Sequence, residues 1–265
     1  MIADAAQIVG RNQAEVATLM GPGVDPHLYQ PTAFDSKRLK AAQLIFYNGL
    51  HLEGKMAEIF ESLSRNKRVV AVSGGLSADS LLSWKTSVGM HDPHIWLDVK
   101  LWQEAVRTIA QAYSEVDPPH AAEYTLRAGD YLAELDQLDA YCRTRAAELS
   151  EDERVLITSH DAFHYFGRAY GFEVVGIQGI STDTEAGLKA ITDAVDLIRK
   201  KNVRAIFPET SVPRAAIERV ATDGHAKLGP ELFSDALGSA DSPAGTYAGM
   251  IKTNIDSIVD ALKAP

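Results

Sequence analysis

Three histidines and one aspartate stand at positions suited to metal ligands. His27 closes Gly23-Val24-Asp25-Pro26-His27 and His94 closes Asp92-Pro93-His94, while His160 follows the apolar run Arg154 to Thr158 and Asp235 ends Phe233-Ser234-Asp235. Neutral imidazoles with one carboxylate suit a borderline divalent ion such as Zn2+, and the same donors hold Mn2+ or Fe2+. Asp-Pro-His has a mechanical logic, because proline fixes its own φ and biases the preceding residue to extended geometry, so the next side chain is held in one direction. Each motif alone has a plainer meaning, a turn start or a surface imidazole. The four together carry the metal reading. The chain has a single cysteine, Cys142, so neither an intramolecular disulfide nor a cysteine-based metal site is available.

Other polar residues have less to do. His51, His91, His120, His164 and His225 show no partnering pattern and are expected on the surface or in packing, His91 being three residues from His94. Glu209, in Phe207-Pro208-Glu209-Thr210-Ser211, could accept from a ligand imidazole and orient it, or could cap a helix or face solvent. Asp25 is open in the same way, as is Asp98, which also stands where it would cap a helix.

The elements that must position these residues alternate between two periods. Apolar, β-branched runs at 154–158, 173–177, 204–207 and 231–233 read as strands, and residues 184–201 carry Leu188, Ile191, Val195 and Ile198 at helical spacing. Residues 15–20, 43–47 and 68–72 read as further strands, with helices over 4–11, 33–42, 55–64 and 99–114. This βαβα order predicts an α/β fold with parallel sheets in two lobes, 1–117 and 150–265. Pro118-Pro119 opens a segment without further proline that predicts one long helix over 118–149 joining them. In open parallel α/β folds ligands bind beyond the carboxyl ends of the strands. His27 and His94 from the first lobe are therefore expected to face His160 and Asp235 from the second.

Composition narrows the function classes. The 265 residues are 46% hydrophobic and 23% charged, which is a globular balance rather than a disordered one. The formal net charge is −10, which disfavours nucleic acid and anionic lipid and tolerates cations. Residues 1–20 lack the basic and apolar regions of a secretory signal, and no apolar stretch is long enough to span a bilayer.

Gly21-Pro22-Gly23-Val24-Asp25-Pro26-His27, Tyr47-Asn48-Gly49-Leu50-His51-Leu52-Glu53, Asp92 to Asp98, Ser159-His160-Asp161-Ala162-Phe163 with Tyr165-Phe166, and Glu231 to Ala236 resemble, in this order, the TroA-like metal-binding solute-binding proteins of bacterial ABC importers. The resemblance runs from Met1 to about Leu262. It implies two Rossmann-like lobes tied by a single backbone helix, with one Zn2+ or Mn2+ ion between them held by His27, His94, His160 and Asp235. It further implies a monomeric, non-enzymatic receptor, periplasmic or membrane-associated outside the cell. Such a receptor hands its ion to a permease driven by a separate ATPase.

Three departures from the family pattern stand out. Zinc-specific members often carry a His-rich acidic loop before the second histidine, whereas residues 73–90 here are short and contain none. Manganese-type members often have Glu at the position of His160. The family also has an export signal or lipoprotein cysteine and a first strand ahead of the Met1-Ile2-Ala3-Asp4 that opens this chain; either the start is assigned late or the first sheet lacks a member. Three alternatives differ in class. A metal-dependent hydrolase would use Glu209 or Asp161 as general base beside an open zinc position. A surface adhesin would use the metal as a brace, and a dinucleotide-binding enzyme is disfavoured because no Gly-x-Gly-x-x-Gly follows any strand.

Overall fold

The apolar runs form short parallel ladders flanked by amphipathic helices. The computed structural model describes residues 1–84 and 89–263, and among them are nine α-helices and six strands. Contacts divide the chain into two compact units: Met1–Gly21 with Pro26–Gln137, and Pro22–Asp25 with Leu138–Pro265.

In the first unit, α1 (Ile2–Gly10) is followed by α2 (Ala33–Ala41), whose start is fixed by a reciprocal capping box between Thr32 and Asp35. Strand β1 (Leu44–Tyr47) leads through α3 (Ala57–Ser64) to β2 (Arg68–Ala71), and the two strands pair in parallel from Leu44 opposite Arg68 to Tyr47 opposite Ala71. Leu39, Ile45, Met56 and Phe60 form a core beneath them. Helix α4 (Val99–Val116) buries Trp102, Ala105, Val106, Ile109 and Tyr113 at helical spacing. Its first turn is closed by Asp98, which accepts from Lys100 N at 2.9 Å, as the sequence predicts.

The strand expected over 15–20 does not form; the segment is irregular. A strand needs a neighbouring ladder. Here the Arg38 side chain, not a strand, donates to the Thr18 carbonyl, while Leu19 and Met20 pack on the core below. The long helix begins as a tight turn at Pro118–His120 and continues as α5 (Ala121–Ala146), about 39 Å at 1.5 Å per residue. The boundary between the units falls inside it, after Gln137.

In the second unit, β3 (Val155–His160) is fully buried, and α6 (His164–Tyr170) returns the chain to β4 (Glu173–Gln178), parallel to β3. Helix α7 (Leu188–Lys201) starts later than its periodicity suggests, because Gly187 is extended at its N-terminus. Strand β5 (Ala205–Ile206), α8 (Ala215–Gly224) and β6 (Lys227–Leu228) follow, with β6 parallel to β5. Thr158 pairs with Gly176 on one side and Phe207 on the other, so β3 is central. The predicted strand at 231–233 reduces to one parallel bridge, Leu232 with Glu209. Helix α9 (Tyr247–Lys263) closes the unit and buries Ile251, Ile255, Ile258 and Leu262. No helix among the described residues is long and apolar enough to cross a membrane.

One close approach bears on the candidate site. A Cβ on Gly176 would lie 2.5 Å from Asp161 Cα and N and 2.6 Å from the His160 carbonyl carbon. Gly176→Ala must therefore push the end of β3 away from β4. The expected cost is about 1–3 kcal/mol of stability, with metal binding weakened as His160 moves; urea denaturation and zinc titration check both.

Candidate metal centre

Each unit brings together two of the four predicted ligands. In the first, His27 and His94 are buried and their Nε2 atoms are 3.3 Å apart. His94 Nδ1 bonds Asp92 Oδ1 at 2.7 Å, and the same oxygen accepts the His94 backbone N–H at 3.0 Å. A carboxylate on Nδ1 holds the ring proton there and leaves the Nε2 lone pair for an electrophile. Asp92 shows this role in the sequence only through its position two residues ahead of the ring, across a proline. The other Asp-Pro-His serves a different contact, since Asp25 Oδ2 accepts the Thr182 hydroxyl at 2.6 Å within the second unit.

The loop carrying His94 is braced from below. Asn48, buried after β1, donates from Nδ2 to the Pro93 carbonyl at 2.9 Å, and its own N–H donates to Glu53 Oε1 at 2.7 Å. Glu53 also accepts from Gly49 N at 3.3 Å, where a positive φ of 87° favours glycine. Burial pushes the Glu53 carboxyl up to about 7, against the opposing pull of those backbone N–H groups.

An acid whose pKa is raised by folding binds more protons folded than unfolded between its two values. Its contribution to stability therefore falls as pH rises from about 4.5 to about 7 and is flat above. For the metal-free protein, the stability difference between wild type and Glu53→Gln is expected to move by about 3 kcal/mol in favour of the variant across that window, read by urea denaturation at each pH. A flat difference would show that Glu53 ionises normally.

In the second unit, His160 and Asp235 are buried, with His160 Nε2 3.4 Å from Asp235 Oδ2. Glu209 Oε2 lies 2.6 Å from His160 Nδ1, and Glu209 Oε1 accepts the His160 backbone N–H at 2.8 Å. Of the roles open to Glu209 in the sequence, the structure takes the first: it orients the imidazole from behind. Ser211 donates to Asp235 Oδ2 at 3.1 Å. Nε2 of His160, with its proton held on Nδ1, and the Asp235 carboxylate are thus two acceptors face to face in a dry place. A divalent cation stabilises such a pair.

The remaining histidines do other work. His51 and His225 adopt positive φ, the latter at the end of α8. His91 bridges Ser83, His120 contacts Asp117 and His164 contacts Asp161, the last two at partly exposed helix starts.

Comparison with known proteins gives the class. The family model described as zinc-uptake complex component A, periplasmic, matches residues 1–261, and the chain belongs to that family. It is 46% identical to the zinc-binding protein TroA of Treponema pallidum, over 99% of this chain and 86% of that one. It is 41% identical to the manganese-binding lipoprotein MntA of Bacillus subtilis, over 99% and 87%. The solved structure of the periplasmic zinc-binding protein TroA from Treponema pallidum superposes with a TM-score of 0.96 at 44% identity, covering 99% of this chain and 96% of that one.

Proposed function

We propose that this chain is the extracytoplasmic receptor of an ABC importer for a divalent transition metal, Zn2+ or Mn2+, with His27, His94, His160 and Asp235 as the ligands of one transported ion. Capture and hand-over to a permease, rather than turnover, is the chemistry. The observation that carries the reading is donor spacing. Two donors each about 2.1 Å from a tetrahedral ion stand about 3.4 Å apart, and the two buried pairs stand 3.3 and 3.4 Å apart. Asp92 and Glu209 stand behind the Nδ1 atoms of His94 and His160 and so direct the Nε2 lone pairs of those two rings toward an ion. Four protein donors fill a tetrahedral ion, leaving no open position for the water that a hydrolase activates. The relatives are named for zinc, manganese and iron, and imidazole-rich donors favour zinc in affinity whatever the cell supplies.

The test is elemental analysis of the purified protein after chelation and reloading in competing Zn2+ and Mn2+. About one ion per chain is expected, and its loss in Asp235→Ala. A wild type without stoichiometric metal would overturn the receptor reading. Metal held as tightly against a chelator by Asp235→Ala as by the wild type would remove Asp235 from the ligand set.

A further inference from the structure

Asp235 sits just after a short extended segment that, among the described residues, has nothing like a full strand on either side. On one edge, Leu232 exchanges backbone bonds with the Pro208–Thr210 turn: Leu232 N donates to the Pro208 carbonyl at 2.9 Å and Thr210 N to the Leu232 carbonyl at 3.0 Å. Backbone groups of the next residue in an extended segment point the other way. There, where a further strand would stand, the structure places the side chain of Asn254 from α9. Its Oδ1 accepts the Phe233 N–H at 2.9 Å and its Nδ2 donates to the Phe233 carbonyl at 2.7 Å, with the residue wholly buried.

An amide that pairs with both the N–H and the C=O of one residue reproduces the two-bond exchange of a strand neighbour. It does so two residues before Asp235. The opposite edge of the segment is held by the turn that carries Glu209, which backs His160.

We propose that Asn254 is a positioning residue for the metal site, its carboxamide clamping the Phe233 backbone so that the Asp235 carboxylate is delivered to the ion at the distance His160 requires. The proposal rests on the receptor reading above and deepens it, by making a helix residue that touches no donor a determinant of affinity.

The experiment uses the full chain as wild type, Asn254→Ala, Asn254→Asp, His160→Ala and, as a control elsewhere on α9, Ile258→Val. Each is titrated with Zn2+ against a chelator and with Co2+, whose visible bands report ligand geometry, after thermal melting of the metal-free form. Removing groups that orient metal ligands costs about 10- to 100-fold in affinity. Asn254→Ala is expected to lose that much and to shift the Co2+ bands, with Asn254→Asp, which keeps the acceptor for Phe233 N–H, losing less. Ile258→Val should melt lower yet bind as wild type. If Asn254→Ala does not fold, Asn254→Asp decides by the same two readouts. Wild-type affinity and spectrum in the folded Asn254 variants, with His160→Ala impaired, overturns this proposal alone. A wild type that binds no stoichiometric ion overturns the receptor reading itself and the proposal with it.

Discussion

His160→Ala is expected to weaken zinc binding by roughly 10²- to 10³-fold. Four-donor zinc sites are worth about 10–16 kcal/mol, or about 2.5–4 kcal/mol per ligand, and about 1.4 kcal/mol is a tenfold change in affinity. The side chain is wholly buried, so no solvent-facing rotamer of a neighbour replaces it. Its loss also takes a ring away from Glu209, but Glu209 Oε1 still accepts the residue-160 backbone N–H, which is unchanged by the substitution. The metal-free protein should therefore stay folded by circular dichroism while melting lower. Chelator competition with Zn2+ measures the loss, and affinity equal to wild type would remove His160 from the site.

Trp102→Ala is expected to have the largest effect on stability, about 3–5 kcal/mol. Trp102 is fully buried on the inner face of α4, in line with Val106, Ile109 and Tyr113, and truncation leaves a cavity that a helix anchored at both ends does not collapse around. The denaturation midpoint in urea should fall sharply with little change in slope, because the same surface is exposed on unfolding. Metal affinity of the folded protein should change far less. The Asp92 bonds that orient His94 are local to their own loop, and the Asp98 cap holds the start of α4 independently of the indole. A loss under about 1 kcal/mol would mean that α4 shifts to refill the space.

These two outcomes separate what the chain's local order dictates from what assembly supplies. Local order is strong where one segment decides its own geometry. Asp98 caps α4, Thr32 and Asp35 box the start of α2, and the runs 44–47, 68–71 and 155–160, carrying β-branched and aromatic residues, are strands because such side chains suit a pleated surface. The same local logic marked His27, His94, His160 and Asp235 as available donors held at turns and strand ends.

It fails where a segment's state depends on a distant neighbour. Residues 15–20 have strand-like composition but no ladder to join, and 231–233 has a single bridge because an asparagine from α9 occupies its other edge. Helix α9 carries an apolar stripe of Ile251, Ile255 and Ile258, and only the fold sets the Asn254 amide beside it against Phe233.

By itself, then, the sequence determined which atoms could coordinate an ion, the alternation of strand and helix that carries them, and the family to which the chain belongs. Only the tertiary structure decided which donors face which, His27 with His94 and His160 with Asp235, and that Asp92 and Glu209 stand behind two of the rings. The reason is physical. Helix period, capping and β-propensity act over a few residues, whereas a donor's direction is set by hydrogen bonds to whichever backbone or carboxylate the fold brings beside it.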